Sequence, residues 1–172
     1  RNPAPVHAWP ADAVERRPVA GLVPYARNAR THSEGQVQEI ARSIEEFGWT
    51  MPVLVDEAGG IIAGHGRVLA AQLLGLTEIP VMVARGWSEA QRRLYIIADN
   101  KLALNAGWDD ALRALEVADL RAADADLGLT GFSAVEIKEL FGKAAAKAGK
   151  TDPEATPEPP ANAVSRLGDV WL

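Results

Sequence analysis

The four residues Gly64-His65-Gly66-Arg67 hold the chemistry most legible in this chain. An apolar stretch, Ile61-Ile62-Ala63, runs straight into them, and Val68-Leu69-Ala70-Ala71 follows with a helical pattern. A strand that turns on glycine into a helix leaves backbone N–H groups free at the positive end of the helix dipole. Glycine also lets the backbone approach an anion closely. Arg67, in the first turn, offers a forked donor to phosphate oxygens. A phosphate or other anion site is one reading of this pattern. The plainer alternative is a sharp turn followed by a solvated arginine, because a lone Gly-x-Gly is a weak signal. His65 is the candidate catalytic residue, able to act as acid, base or hydrogen-bond donor near neutral pH. If it contacts a terminal phosphate, affinity changes between about pH 5.5 and 7.5; otherwise it is a polar turn residue. His32 reads as a residue beside a helix cap, and the three dispersed histidines make no metal site by spacing.

The elements around this turn follow from pattern. Residues 1–16, with Pro3, Pro5 and Pro10, read as an N-terminal arm, and 17–25 as an entering strand. Ser33 and Gln36 have capping-box spacing, opening a helix with Val37, Ile40, Ala41, Ile44 and Phe47 on one face and Gly48 at its end. Pro52–Val55 and Ile61–Ala63 read as a hairpin around the turn residues 56–60. A helix over 67–74 and a strand over 79–83 come next. Ser88 and Gln91 form a second box, for a helix to Leu104 with Leu94, Ile97, Ala98 and Leu102 inward. Asp109 caps a helix to about Ala122, and Ser133 with Glu136 opens a short one ending near Phe141. Trp49, Trp87 and Trp108 sit at helix boundaries, where large rings seal core edges. Residues 143–165 are a Pro-rich linker, and the apolar 166–172 reads as the start of a further domain.

Composition limits the function. The 172 residues suffice for one domain with a core, and no apolar run approaches the length of a membrane span. With no cysteine, disulfides and thiolate chemistry are excluded, which fits a cytoplasmic protein. The net charge of −5 argues against autonomous grip on duplex DNA, whose affinity comes largely from phosphate neutralisation. DNA contact would then be local, through Arg27, Asn28 and Arg30, or shared with another part of the protein.

Six motifs occur in a familiar order: Leu22-Val23-Pro24, Asn28-Ala29-Arg30, Phe47-Gly48, Pro52-Val53-Leu54-Val55, Ile62-Ala63-Gly64-His65-Gly66-Arg67, and Leu76-Thr77-Glu78-Ile79-Pro80-Val81. Over about half the chain this resembles the N-terminal domain of the ParB family. The resemblance implies an α/β (α+β) ParB/sulfiredoxin-like fold over 17–105, a small mixed sheet with packed helices, followed by a helical C-terminal extension over 106–142. It further implies that Gly64, His65, Gly66 and Arg67 cradle the phosphates of a nucleoside triphosphate carried with Mg²⁺. Asn100 and Lys101 would assist, Pro52 would lie near a base, and a nucleotide-dependent homodimer would form.

Two departures bear on activity. His65 stands where the family carries a glutamate associated with hydrolysis, and Gly66 replaces the first of two arginines. Hydrolysis is therefore not expected. Sulfiredoxins place a nucleophilic cysteine at the position of His65, so sulfinic-acid reduction is excluded. The region 109–141 does not read as a helix-turn-helix, because its interhelical gap is polar and loop-like. It resembles instead ParB-like domains fused ahead of DNA amino-methyltransferases. No methyltransferase motif occurs here, so S-adenosylmethionine would belong to a neighbouring domain. The resulting expectation is a nucleotide-binding regulatory or DNA-positioning domain of a DNA methyltransferase. The alternatives are a phosphotransferase or nuclease on the same fold, and a docking module with a decayed pocket.

Overall fold

The computed structural model describes residues 11–147, with side chains through 143. The arm before residue 11, His7, most of the expected linker and the final apolar segment lie outside the described residues. The first strand, β1 (Val14–Pro18), begins inside what reads from sequence as the arm. Its sequence, VERRP, has no apolar alternation; pairing with a neighbour makes it a strand. A 3₁₀ turn, Val19–Gly21, follows where the entering strand was expected, and Val23 makes only a single parallel bridge to Gly60.

Helix α1 (Glu34–Phe47) leads to β2 (Val53–Val55) and β3 (Ile61–Ala63). Helix α2 (His65–Leu73), strand β4 (Glu78–Val83) and helix α3 (Glu89–Asn105) come next. Helices α4 (Asp110–Ala122) and α5 (Ala134–Lys147) complete the described residues. Helix α5 thus runs past the end expected near Phe141. The four strands form one mixed sheet in the order β1-β4-β2-β3. The outer pairs are antiparallel and β2 runs parallel to β4, with Val53 opposite Val81 and Val55 opposite Val83.

Alternation along the strands separates two cores. Val53, Val55, Ile61, Ile79 and Val81 are fully buried and cluster with Val68 and Ala71 of α2, with Trp49 sealing the edge. On the other side Ile62, Ala84 and Ile96 gather beneath Tyr25, Leu54 and Trp87. Ala114 and Val117 of α4 meet Leu140 of α5 in a third cluster.

Helix α3 corrects the sequence expectation most. Leu94, Ile97 and Leu102 are 70%, 65% and 67% exposed, and Ile96 is the residue that packs inward. Apolar residues occur all round this helix, so periodicity does not say which row faces the sheet. The row Arg92-Ile96-Asn100 does. Arg92 pairs with Asp56, whose Oδ1 also accepts from the Ala58 and Gly60 amides, so one carboxylate ties the hairpin turn to α3. Trp108 likewise departs from expectation: it is 70% exposed, with its ring against Phe132 and Arg113.

Candidate functional site

The glycine turn forms because only glycine readily takes the backbone angles at position 64. Gly64 caps α2 at φ 98°, ψ 24°, in the left-handed region, and no side chain caps this N-terminus. The first turn of α2 also carries no acidic residue. Among the described residues no side-chain acceptor meets its leading amides, which is the arrangement that favours an anion.

The two glycines differ in role. A Cβ on Gly64 would meet the Arg67 guanidinium at 2.9 Å (Nη2) and 3.1 Å (Nε), so Arg67 folds back over the turn. A Cβ on Gly66 would meet Ile40 Cδ1 at 2.9 Å and His32 Cε1 at 3.0 Å. Gly66 is thus glycine because α1 and the imidazole of His32 press against α2. The space beside it is filled by the chain itself.

His65 is half-buried at the first helical position, and its Nε2 accepts from the Tyr25 amide at 3.3 Å. That bond requires an unprotonated Nε2. Burial, and then the charge of His32, hold the imidazole below its ordinary value of 6.5. His65 thus acts as a neutral acceptor that ties the segment after Pro24 to the turn. Burial also lowers the Arg67 guanidinium, with the Asp99 carboxylate of α3 opposing the shift.

Two cavities lie near the turn, one lined by Arg67 and the other by Tyr25, whose amide donates to His65. The larger, about 520 Å³, lies between residues 25–31 and α3 and brings Arg27, Arg30, Arg93, Asn100 and Lys101 around Tyr25, Ile96, Ile97 and Leu104. The smaller, about 360 Å³, is lined by α1, Trp49, Thr50, Met51, Arg67 and residues 129–131. Arg27, Arg30, Asn100 and Lys101 are therefore brought together, and Arg67 opens to the other side. Asn100 is partly engaged, its amide donating to the Ile96 carbonyl at 2.8 Å. Asn28 is not in the cavity wall; its Oδ1 accepts from the Arg30 amide within a local turn. Pro52 is half-buried at the start of β2, beside Thr50 and Met51.

From sequence, His32 reads as a residue beside a helix cap and Gln36 as half of a capping box. Ser33 accepts from the Gln36 amide at 3.2 Å, which is half of a capping box. The other half is missing, because Gln36 Oε1 meets His32 Nδ1 at 2.9 Å. The Ser-x-x-Gln spacing suggested a closed box and so hid the histidine.

Among the described residues no three His, Asp or Glu side chains converge on a point that could hold a metal ion. None of their helices is long and apolar enough to cross a membrane.

Comparison with known proteins bears on this geometry. The family model described as the ParB N-terminal domain matches residues 8–100. A second, described as the ParB-methyltransferase HTH domain, matches residues 111–167. Its description includes a helix-turn-helix, which differs from the sequence expectation for 109–141. The connection from α4 to α5 spans residues 123–133 and contains a 3₁₀ turn, Leu127–Thr130. A typical turn of this motif is about three or four residues, so the connection seen here is longer.

The ParB-like nuclease domain-containing protein YnaK of Escherichia coli is 54% identical over 77 residues, 45% of this chain and 88% of that protein. The probable chromosome 2-partitioning protein ParB of Deinococcus radiodurans is 36% identical over 100 residues, 56% of this chain and 34% of that protein. The chain thus spans most of the first relative and about a third of the second. A C-terminally truncated chromosome-partitioning protein ParB from Caulobacter crescentus, complexed with CTP-γ-S, superposes with a TM-score of 0.63 at 25% identity. The overlap covers 78% of this chain and 79% of that one.

Proposed function

We propose, since the chain belongs to the ParB N-terminal domain family, that it is a nucleotide-binding module that regulates or positions a DNA-modifying protein. The phosphates of a nucleoside triphosphate lie on the Gly64–Arg67 turn, with Arg30 and Lys101 on one side and Arg67 on the other. The observation that carries this reading is the uncapped, left-handed start of α2, with a cavity rimmed by four cations beside Tyr25, which is bonded to His65. The C. crescentus ParB complexed with CTP-γ-S supports a nucleotide as the anion.

The residues divide the work. Gly64 supplies the turn, the first amides of α2 meet phosphate oxygens, and Arg67 forks onto them. The nucleoside end lies toward Thr50, Met51 and Pro52, and Mg²⁺ arrives with the triphosphate. His65 orients the turn through Tyr25, and no base for hydrolysis is assigned to it. Binding, rather than turnover, is the function. The family model over 111–167 supports a DNA methyltransferase as the parent protein. Acidic residues outnumber basic ones across 109–143, so DNA contact falls to the Arg27, Arg30 and Lys101 rim or to other parts of the parent.

A second reading, a docking module with a decayed pocket, is favoured by the filled space beside Gly66. Calorimetric titration with CTP, ATP, GTP and S-adenosylmethionine, with and without Mg²⁺, separates the two. Nucleotide binding that Arg67→Ala abolishes, with the thermal midpoint kept, supports the phosphate site. Absence of any binding by the unaltered chain leaves the docking module.

A further inference from the structure

We infer, on the nucleotide reading just given, that His32 contacts the phosphates bound at the Gly64–Arg67 turn and that Gln36 holds its imidazole in place. The ring lies against Gly66, so close that a Cβ there would sit 3.0 Å from Cε1 and 3.1 Å from Nδ1. His32 therefore occupies the space that a side chain at position 66 would take, within the first turn of α2. The turn itself supplies one full cation, Arg67, and the Nε2 of His65 is committed to the Tyr25 amide.

His32 also links residues of the two cavities. Its chain neighbour Thr31 lines the larger, and its hydrogen-bond partner Gln36 lines the smaller beside Arg67. A chain of phosphates crossing the turn between them passes the imidazole.

Orientation comes from Gln36. Its Oε1 accepts from Nδ1–H at 2.9 Å, which leaves Nε2 as the nitrogen available to a ligand. Donation from Nε2 then needs a hydrogen on both ring nitrogens. Gln36 forgoes part of its helix cap to do this. The equivalent residues Gln91 and Glu136 both return to the backbone amide of their N-cap serine, whereas Gln36 turns to His32. A local sacrifice of helix capping for side-chain placement is expected where the side chain has a task.

The test is calorimetry on the full chain with CTP, ATP and GTP, each paired with its own nucleoside as a phosphate-free control. His32→Ala should weaken the triphosphate that binds by about 10-fold or more, leaving the nucleoside within about twofold. His32→Gln, which keeps a side-chain N–H donor, should recover part of the loss and guards against a folding defect in the alanine variant. Equal weakening of triphosphate and nucleoside would show a merely structural ring and overturn the inference. Full triphosphate affinity in both His32 variants, with binding lost in Arg67→Ala, would overturn it while the nucleotide site stands. No binding of any triphosphate by the unaltered chain would defeat both.

Discussion

Gly66→Ala offers a matched measurement of how tightly α1 and His32 press on the glycine turn. Gly66 is the second residue of α2, and Gly35 holds the same position in α1. A Cβ at 66 would lie 2.9 Å from Ile40 Cδ1 and 3.0 Å from His32 Cε1, whereas at 35 it meets only Ser33 Oγ at 4.0 Å. Both substitutions gain helix propensity, at most about 1 kcal/mol. At 66 overpacking of about 1–3 kcal/mol opposes that gain. Gly35→Ala should therefore stabilise by a few tenths to about 1 kcal/mol, and Gly66→Ala should destabilise by about 1–2 kcal/mol. In thermal denaturation followed by circular dichroism, the second corresponds to a fall of roughly 3–8 °C. Ile40→Val removes the colliding methyl, so the double variant should be more stable than the sum of the single effects by at least about 0.5 kcal/mol. Equal stabilisation by both glycine substitutions, or strict additivity with Ile40→Val, would refute the close packing on which the role of Gly66 rests.

Asp56→Ala should cost about 2–3 kcal/mol in urea unfolding, because it strands the Ala58 and Gly60 amides and the Arg92 guanidinium together. Amide exchange should then quicken along α3. Arg42→Ala, by contrast, breaks the 2.9 Å pair with Asp126 between two exposed side chains and should change stability by less than about 0.5 kcal/mol. Gly64→Ala forces a side chain to φ 98° and should destabilise by about 1–2 kcal/mol in the same assay. The depressed His65 value predicts a pH dependence. The folded state disfavours the imidazolium, so this contribution is complete above about pH 6.5 and is lost as pH falls through the folded-state value. His65→Gln should flatten that acid limb of the stability profile, and an unchanged limb would show that another group causes it.

Signals written locally in the chain were legible from sequence. Ser88 with Gln91 and Ser133 with Glu136 close their capping boxes as their spacing requires. The strand–glycine–helix run at 61–73 is likewise a local pattern, and its turn lies where expected. Features decided by distant partners were not legible. β1 is a strand because Val14 to Pro18 find Met82 to Glu78 opposite. Ile96 faces inward through the sheet residue Ile62 and the Asp56–Arg92 pair, although Leu94 and Ile97 are just as apolar. The site shows the same division. Gly64 and Arg67 could be read from the turn, whereas the contact of His32 with Gly66 joins residues 34 positions apart and follows from the packing of α1 on α2.

The most direct test of a phosphate site at the glycine turn is amide mapping by two-dimensional ¹H–¹⁵N NMR as CTP with Mg²⁺ is added, with ATP and GTP in parallel. One of the triphosphates should give its largest shifts at the amides of His65, Gly66, Arg67 and Val68, with smaller ones at Arg30 and Lys101, and Arg67→Ala should abolish them. Shifts confined to α4 and α5, or none with any triphosphate, would contradict a phosphate cradle at the start of α2.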